Sequence, residues 1–102
     1  MKLHALEFGV IAIGDSHRVE FYNVAEAALS GLSSERVLGR HFFTEVAPCT
    51  NNIMVAHRYE SEPTLDATIG YVFTLRMRPT PVTLRLLQRD GAARQFLLVQ
   101  RG

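Results

Sequence analysis

The hydrophobic positions of the chain fall into short runs whose period changes along its length. Phe8 to Ile13 is apolar and β-branched, and Gly14-Asp15-Ser16 ends it. His17 to Tyr22 then sets Val19 and Phe21 against Arg18 and Glu20. Two such runs around a Gly/Asp/Ser turn predict a β-hairpin. Asn23 next takes the place of a helix N-cap, with Glu26 three residues on and Ala27-Ala28-Leu29 behind it, and Gly31 ends that helix. Ser33-Ser34-Glu35 opens a second short helical turn, which Gly39 closes in the left-handed conformation that glycine tolerates. His41 to Val46 predicts one further turn, stopped by Pro48, whose ring drives Ala47 to extended angles. Ile53 to Tyr59 predicts a short helix, and Ser61-Glu62-Pro63-Thr64 a loop.

From Thr68 the period becomes two. Ile69, Tyr71, Phe73, Leu75 and Met77 share one face, with Thr68, Gly70, Val72, Thr74 and Arg76 on the other. Pro79 and Pro81 interrupt, Val82, Leu84 and Leu86 resume the alternation, Asp90-Gly91 marks a turn, and Phe96 to Val99 predicts the last strand. Strands at both ends with short helices between them predict an α+β fold, a five-stranded antiparallel sheet with the helices packed over one face. A ligand would sit in the space between helices and sheet.

Composition narrows the class. The chain has 102 residues, enough for a single domain over 1-102 with one modest core. Net charge is +1, and the basic residues are scattered rather than striped, which argues against nucleic acid as a partner. No apolar run is long enough to cross a bilayer, and the start Met1 to Glu7 lacks the apolar core of a signal peptide. A single cysteine, Cys49, forms no internal disulfide, so a reducing, cytoplasmic setting is expected.

Few residues carry candidate chemistry. Cys49 reads either as a small buried hydrophobe or as a functional thiol. Glu26 reads either as the far half of a capping box, its carboxylate folded back on the Asn23 N–H, or as a buried acid. Tyr22 precedes the cap, where an apolar residue often staples a helix, and its hydroxyl needs a partner if buried. His4, His17, His41 and His57 lack metal-ligand spacing. There is no phosphate loop or nucleophile elbow, and only composition supports a catalytic pair of Cys49 with His41 or His57, so no enzyme is expected.

Two segments carry more. Glu20-Phe21-Tyr22-Asn23-Val24-Ala25-Glu26, followed by Gly39-Arg40-His41-Phe42-Phe43-Thr44-Glu45-Val46-Ala47-Pro48-Cys49-Thr50, resembles the photoactive yellow protein family. Tyr71-Val72-Phe73 with Met77-Arg78-Pro79-Thr80 extends the match over nearly the whole chain from about Leu6, apart from the stretch after Cys49. The resemblance implies a PAS fold, here without the N-terminal helical cap of well-known members. It implies a blue-light receptor whose 4-hydroxycinnamoyl (p-coumaroyl, from p-coumaric acid) chromophore is a thioester on Cys49. Tyr22 and Glu26 would hold the phenolate oxygen, Ser30 would replace the family's threonine in supporting the tyrosine, and Phe42, Val46, Tyr71, Phe73 and Met77 would line the pocket. Leu32 stands where the family has an arginine.

These roles set chemical requirements. A buried phenolate needs hydrogen bonds in place of lost water. Tyr22 can donate one. Glu26 can donate only when protonated, which needs a pKa well above about 4.3 and therefore burial with no cation beside it. Loss of that proton after isomerisation would leave a buried carboxylate and drive local unfolding, the signal to a downstream signalling protein. PAS domains often pair, so a homodimer is an expectation too. The alternative is a non-photoactive PAS module that binds a small molecule or a partner, or a protein using the Cys49 thiol without light.

Overall fold

In the computed structural model, which describes residues 8–74 and 79–101, the chain opens with β1, Gly9–Ile13, and β2, Val19–Tyr22. Three short helices follow: α1 (Val24–Ser30), α2 (Ser34–Val37) and α3 (Ala56–Ser61). Strands β3 (Leu65–Phe73), β4 (Thr80–Gln88) and β5 (Gln95–Arg101) complete one antiparallel sheet in the order β2-β1-β5-β4-β3. The α+β class and the five antiparallel strands agree with the pattern in the sequence. The last strand docks between the first and the fourth, which puts it at the centre of the sheet.

Local chemistry explains most boundaries. The first hairpin turns through a 3-10 segment, Asp15–His17, with Ser16 and His17 both at a φ of 58°. Its register shifts between Ala12 and Ile13, and β2 therefore starts at Val19 rather than His17. At α1 the Asn23 side chain accepts from the Glu26 N–H, and Gly31 closes the helix at a φ of 77°. Gly39 and Gly91 also take positive φ, as their turns require. The turn at Phe42–Val46 is wider than an α-turn: the N–H groups of Val46 and Ala47 reach back five residues, to His41 and Phe42 carbonyls.

Other elements also differ from the expected limits, β5 among them, which runs Gln95–Arg101 rather than Phe96 to Val99. The helix expected from Ile53 starts at Ala56, because the Asn52 side-chain oxygen accepts from the Met54 and Val55 N–H groups and holds them in a turn. β3 begins at Leu65, three residues before the expected Thr68, since Leu65, Asp66 and Ala67 pair with Gln88, Leu87 and Leu86. β4 runs through Pro81, which lies exposed near the strand's start where a missing N–H is tolerated.

The core lies between the sheet and the helices. Ile11, Ile13, Leu84, Leu86, Leu97 and Val99 come from the strands, and meet Phe42, Phe43, Val46, Val55 and Tyr59 from the helical side. The Tyr59 hydroxyl donates to the Phe96 carbonyl, and the Gln88 amide to the carbonyls of Tyr59 and Glu62, tying α3 to the sheet. No helix among the described residues is long and apolar enough to cross a membrane.

Candidate functional site

Tyr22 is the last residue of β2, and Glu26 and Ser30 follow at intervals of four on α1. Glu26 and Ser30 thereby share one side of the helix, and Tyr22, just before it, reaches both with its hydroxyl. All three are buried. The Tyr22 hydroxyl lies 2.8 Å from Ser30 Oγ and 3.5 Å from Glu26 Oε2, so the serine is its close partner and the glutamate a distant one. Ser30 Oγ also accepts from the Leu32 N–H at 3.2 Å. Burial pushes the Tyr22 phenol well above its usual range, and the negative charge of Glu26 adds to this, while Ser30 and Arg101 oppose it.

Asn23 fixes this line to the sheet. Its side-chain oxygen accepts from Glu26 N and from Val10 N, both at 3.0 Å, and its own N–H donates to the Val10 carbonyl at 3.1 Å. Only half of the capping box is therefore formed. The Glu26 carboxylate does not fold back on Asn23; it faces Arg101, whose Nη1 is 2.7 Å from Oε1 and Nη2 3.1 Å from Oε2. Both side chains are withdrawn from water, Glu26 to 1% exposure and Arg101 to 13%. Two guanidinium donors on two carboxylate oxygens make an ion pair of the strong, forked kind.

This pair corrects the expectation that Glu26 lies without a cation. Leu32 packs against the core, while the cation at the site comes from β5. Arg101 is the residue of this site that sequence reasoning missed. Leu97, Val99 and Arg101 share the inward parity of β5, so extending the last strand by two residues would have placed a cation on the core face. The guanidinium carbon also lies 5.7 Å from the centroid of the Phe73 ring, a distance at which a cation is held by the aromatic face.

Cys49 lies in a 3-10 turn, Pro48–Thr50, and packs half-buried against the core. Thr50 holds this turn, its N–H and hydroxyl both bonded to the Ala47 carbonyl. Tyr71 holds it from the sheet by donating its hydroxyl to the Cys49 carbonyl, and the Asn52 amide donates to both the Tyr71 oxygen and that carbonyl. Tyr71 and Phe73 meet edge to face, with centroids 6.2 Å apart. A continuous path of contacts thus runs from Glu26 through Arg101, Phe73 and Tyr71 to the backbone of Cys49.

Of the residues named from sequence, Tyr22, Phe42, Val46 and Phe73 belong to the buried apolar cluster, with Tyr71 and Cys49 packed on it. Glu26 and Ser30 are buried polar groups beside Tyr22. Met77 lies outside the described residues. Among the described residues no group of three or more His, Cys, Asp or Glu side chains that could hold a metal ion occurs.

The chain is 31% identical over 103 residues to a photoactive yellow protein of Rhodothalassium salexigens, covering 98% of this chain and 82% of that protein. Its fold matches the photoactive yellow protein domain of the sensor histidine kinase Ppr of Rhodospirillum centenum, with a TM-score of 0.88, 37% identity, and coverage of 99% of this chain and 94% of that one. The PAS domain of an HTR-like protein from Haloarcula marismortui shares the fold alone, with a TM-score of 0.76 at 14% identity, over 98% of this chain and 90% of that one. No family model matches the chain.

Proposed function

The chain belongs to the photoactive yellow protein family and has its PAS fold, and from that premise we propose that it is a light-sensing domain carrying a 4-hydroxycinnamoyl thioester on Cys49. The observation that carries this reading is the pairing of a buried hydroxyl–carboxylate group, Tyr22, Ser30 and Glu26, with a half-buried thiol on the same apolar cluster. Such a cluster suits a flat aromatic acyl group that needs an apolar wall, a polar end and a nucleophile.

The fit is chemical as well as spatial. Tyr22 can donate to or accept from a phenolic oxygen, and Ser30 holds that same hydroxyl at 2.8 Å. Phe73 and Tyr71 offer aromatic faces between the two ends. The Cys49 sulfur would form the new bond to the acyl carbon of an activated ester, whose leaving group departs with the electron pair and carries off the thiol proton. When bound, the group supplies absorption of blue light and isomerisation of its double bond. The chain's own part is to hold the phenolic end among Tyr22, Glu26 and Arg101 and to shield it from water. The Ppr domain belongs to a histidine kinase, and a downstream signalling protein is the partner class we propose here.

The second reading is a PAS module without pigment, acting through a small molecule or a protein partner. The ion pair favours it, since both Glu26 oxygens already have donors. Mixing the purified protein with an activated p-coumaroyl ester separates the two. A mass gain of one coumaroyl group, absent in Cys49→Ala and accompanied by an absorption band that blue or near-ultraviolet light bleaches, supports the light sensor. A folded protein that takes up no acyl group supports the module without pigment.

A further inference from the structure

Asn52 is exposed, yet its side-chain amide is bonded at both ends. Oδ1 accepts from the Met54 N–H at 3.0 Å and from the Val55 N–H at 3.2 Å. Nδ2 donates to the Cys49 carbonyl at 3.2 Å and to the Tyr71 hydroxyl. The two N–H groups fix which end of the amide is the oxygen, so its nitrogen must face the other pair. Tyr71 closes a triangle by donating its own proton to the same Cys49 carbonyl. One exposed side chain thus joins the turn that carries the thiol, β3 through Tyr71, and the approach to α3, where the Asn52 carbonyl also accepts from the His57 N–H at 3.0 Å.

We infer that Asn52 is a specificity-determining residue for acyl transfer to Cys49. By holding the Cys49 carbonyl to Tyr71 it keeps the half-buried thiol turned to the apolar cluster, open to a flat aromatic acyl group lying there and shut to acyl donors in solvent. The inference rests on the light-sensor reading and adds what selects the acyl group. The bonds of Asn52 and Tyr71 grip the backbone carbonyl of Cys49 and not its sulfur, so a donor on the cluster side is attacked with the turn closed. A donor in solvent meets the sulfur only when the turn swings out, which breaks both bonds together. An aromatic ring gains apolar contact in the cluster and an acetyl group gains almost none, so only the aromatic donor is held where the closed turn presents the thiol. In either case the sulfur bonds to the acyl carbon, the bond to the leaving group breaks, and that group departs with the electron pair and the thiol proton.

Two substitutions isolate the donor end of the amide. Asn52→Asp keeps an oxygen for the Met54 and Val55 N–H groups and loses both donors. Asn52→Ser adds no charge, and its hydroxyl still accepts from the N–H two residues on but is too short to reach Tyr71.

The test uses the full chain, p-coumaroyl and acetyl esters of one leaving group, and a short cysteine peptide whose rates at the same pH normalise the two reagents. Intact mass follows attachment, with Cys49→Ala as the blank. The wild type is expected to take the p-coumaroyl group and to acetylate far more slowly than the peptide. In Asn52→Asp and Asn52→Ser acetylation rises about tenfold, the worth of the lost bonds in opening the turn, while the p-coumaroyl rate stays within about twofold. A structural role alone would work through global unfolding, raise both rates by one factor and steepen in dilute urea. Equal gains for the two esters, a gain that steepens in urea, or an unchanged acetylation rate in both variants overturns the inference. So does a wild type that acetylates as fast as the peptide, a result that needs no variant to fold. A wild type that takes no p-coumaroyl group overturns the light-sensor reading instead, and its acetylation against peptide and variants still decides whether Asn52 shuts the thiol from solvent.

Discussion

Gly9 and Glu26 share a space that holds one side chain. A Cβ on Gly9 would fall within 3.0 Å of Glu26 Cβ and Cδ and closer still to Oε1. The long glutamate side chain cannot swing aside, because Arg101 holds both of its oxygens. Gly9→Ala therefore forces α1 away from β1 or breaks the ion pair, and overpacking of this kind costs about 1–3 kcal/mol. Chemical denaturation checks the figure. In a double-mutant cycle the cost shrinks when Glu26 is also Ala, and an additive result would show that the glutamate is not what the new methyl meets.

Ser30 serves two neighbours, the Tyr22 hydroxyl and the Leu32 N–H. Ser30→Ala leaves Tyr22 with only the distant Glu26 oxygen and is expected to cost about 1–3 kcal/mol, the penalty for a buried group left without its partner. Ser30→Thr restores the hydroxyl and recovers most of the loss. Denaturation midpoints, with near-ultraviolet circular dichroism of the tyrosines, measure both variants.

Alkaline stability follows from two buried phenols. Burial raises Tyr22 and Tyr59 far above their usual range, with the charge of Glu26 adding to the effect at Tyr22. Both groups keep their protons in the folded chain after the unfolded chain has lost them. Their contribution is whole below the unfolded value of about 10 and falls as pH rises beyond it. Stability is therefore expected to decline above about pH 10, and Tyr22→Phe and Tyr59→Phe should each flatten part of that decline. Stability curves of unchanged slope in both variants would refute this.

Tyr71 acts on the thiol through the backbone. Its hydroxyl bonds the Cys49 carbonyl, and Asn52 bonds both. Tyr71→Phe removes the link and should lower stability by about 0.5–1.5 kcal/mol, the net worth of one such bond. The freed turn should expose the thiol, so Cys49 reacts faster with a disulfide reagent at fixed pH. Equal labelling rates in wild type and variant would show that Asn52 and Thr50 hold the turn without Tyr71.

The sequence by itself determined what adjacent residues decide. The Asn23 cap, the positive-φ glycines at 31, 39 and 91, the stop at Pro48, and the alternation of Ile69, Tyr71 and Phe73 all arise from interactions within a few residues. They are legible because turn chemistry and side-chain periodicity are local. The four-residue spacing of Glu26 and Ser30 puts both on one side of α1 for the same reason, whereas the sequence joins Tyr22 and Ser30 to Glu26 only through the family resemblance.

Only the tertiary structure decided what those residues face. Periodicity tells which way a side chain points but not which distant element lies opposite, and that depends on β5 inserting between β1 and β4. This insertion carries Arg101 to Glu26 across 75 positions of the chain, and with it the charge of the site. Gly9, silent in the sequence, matters for the same reason: the space it leaves is filled by a helix that only the folded chain brings there.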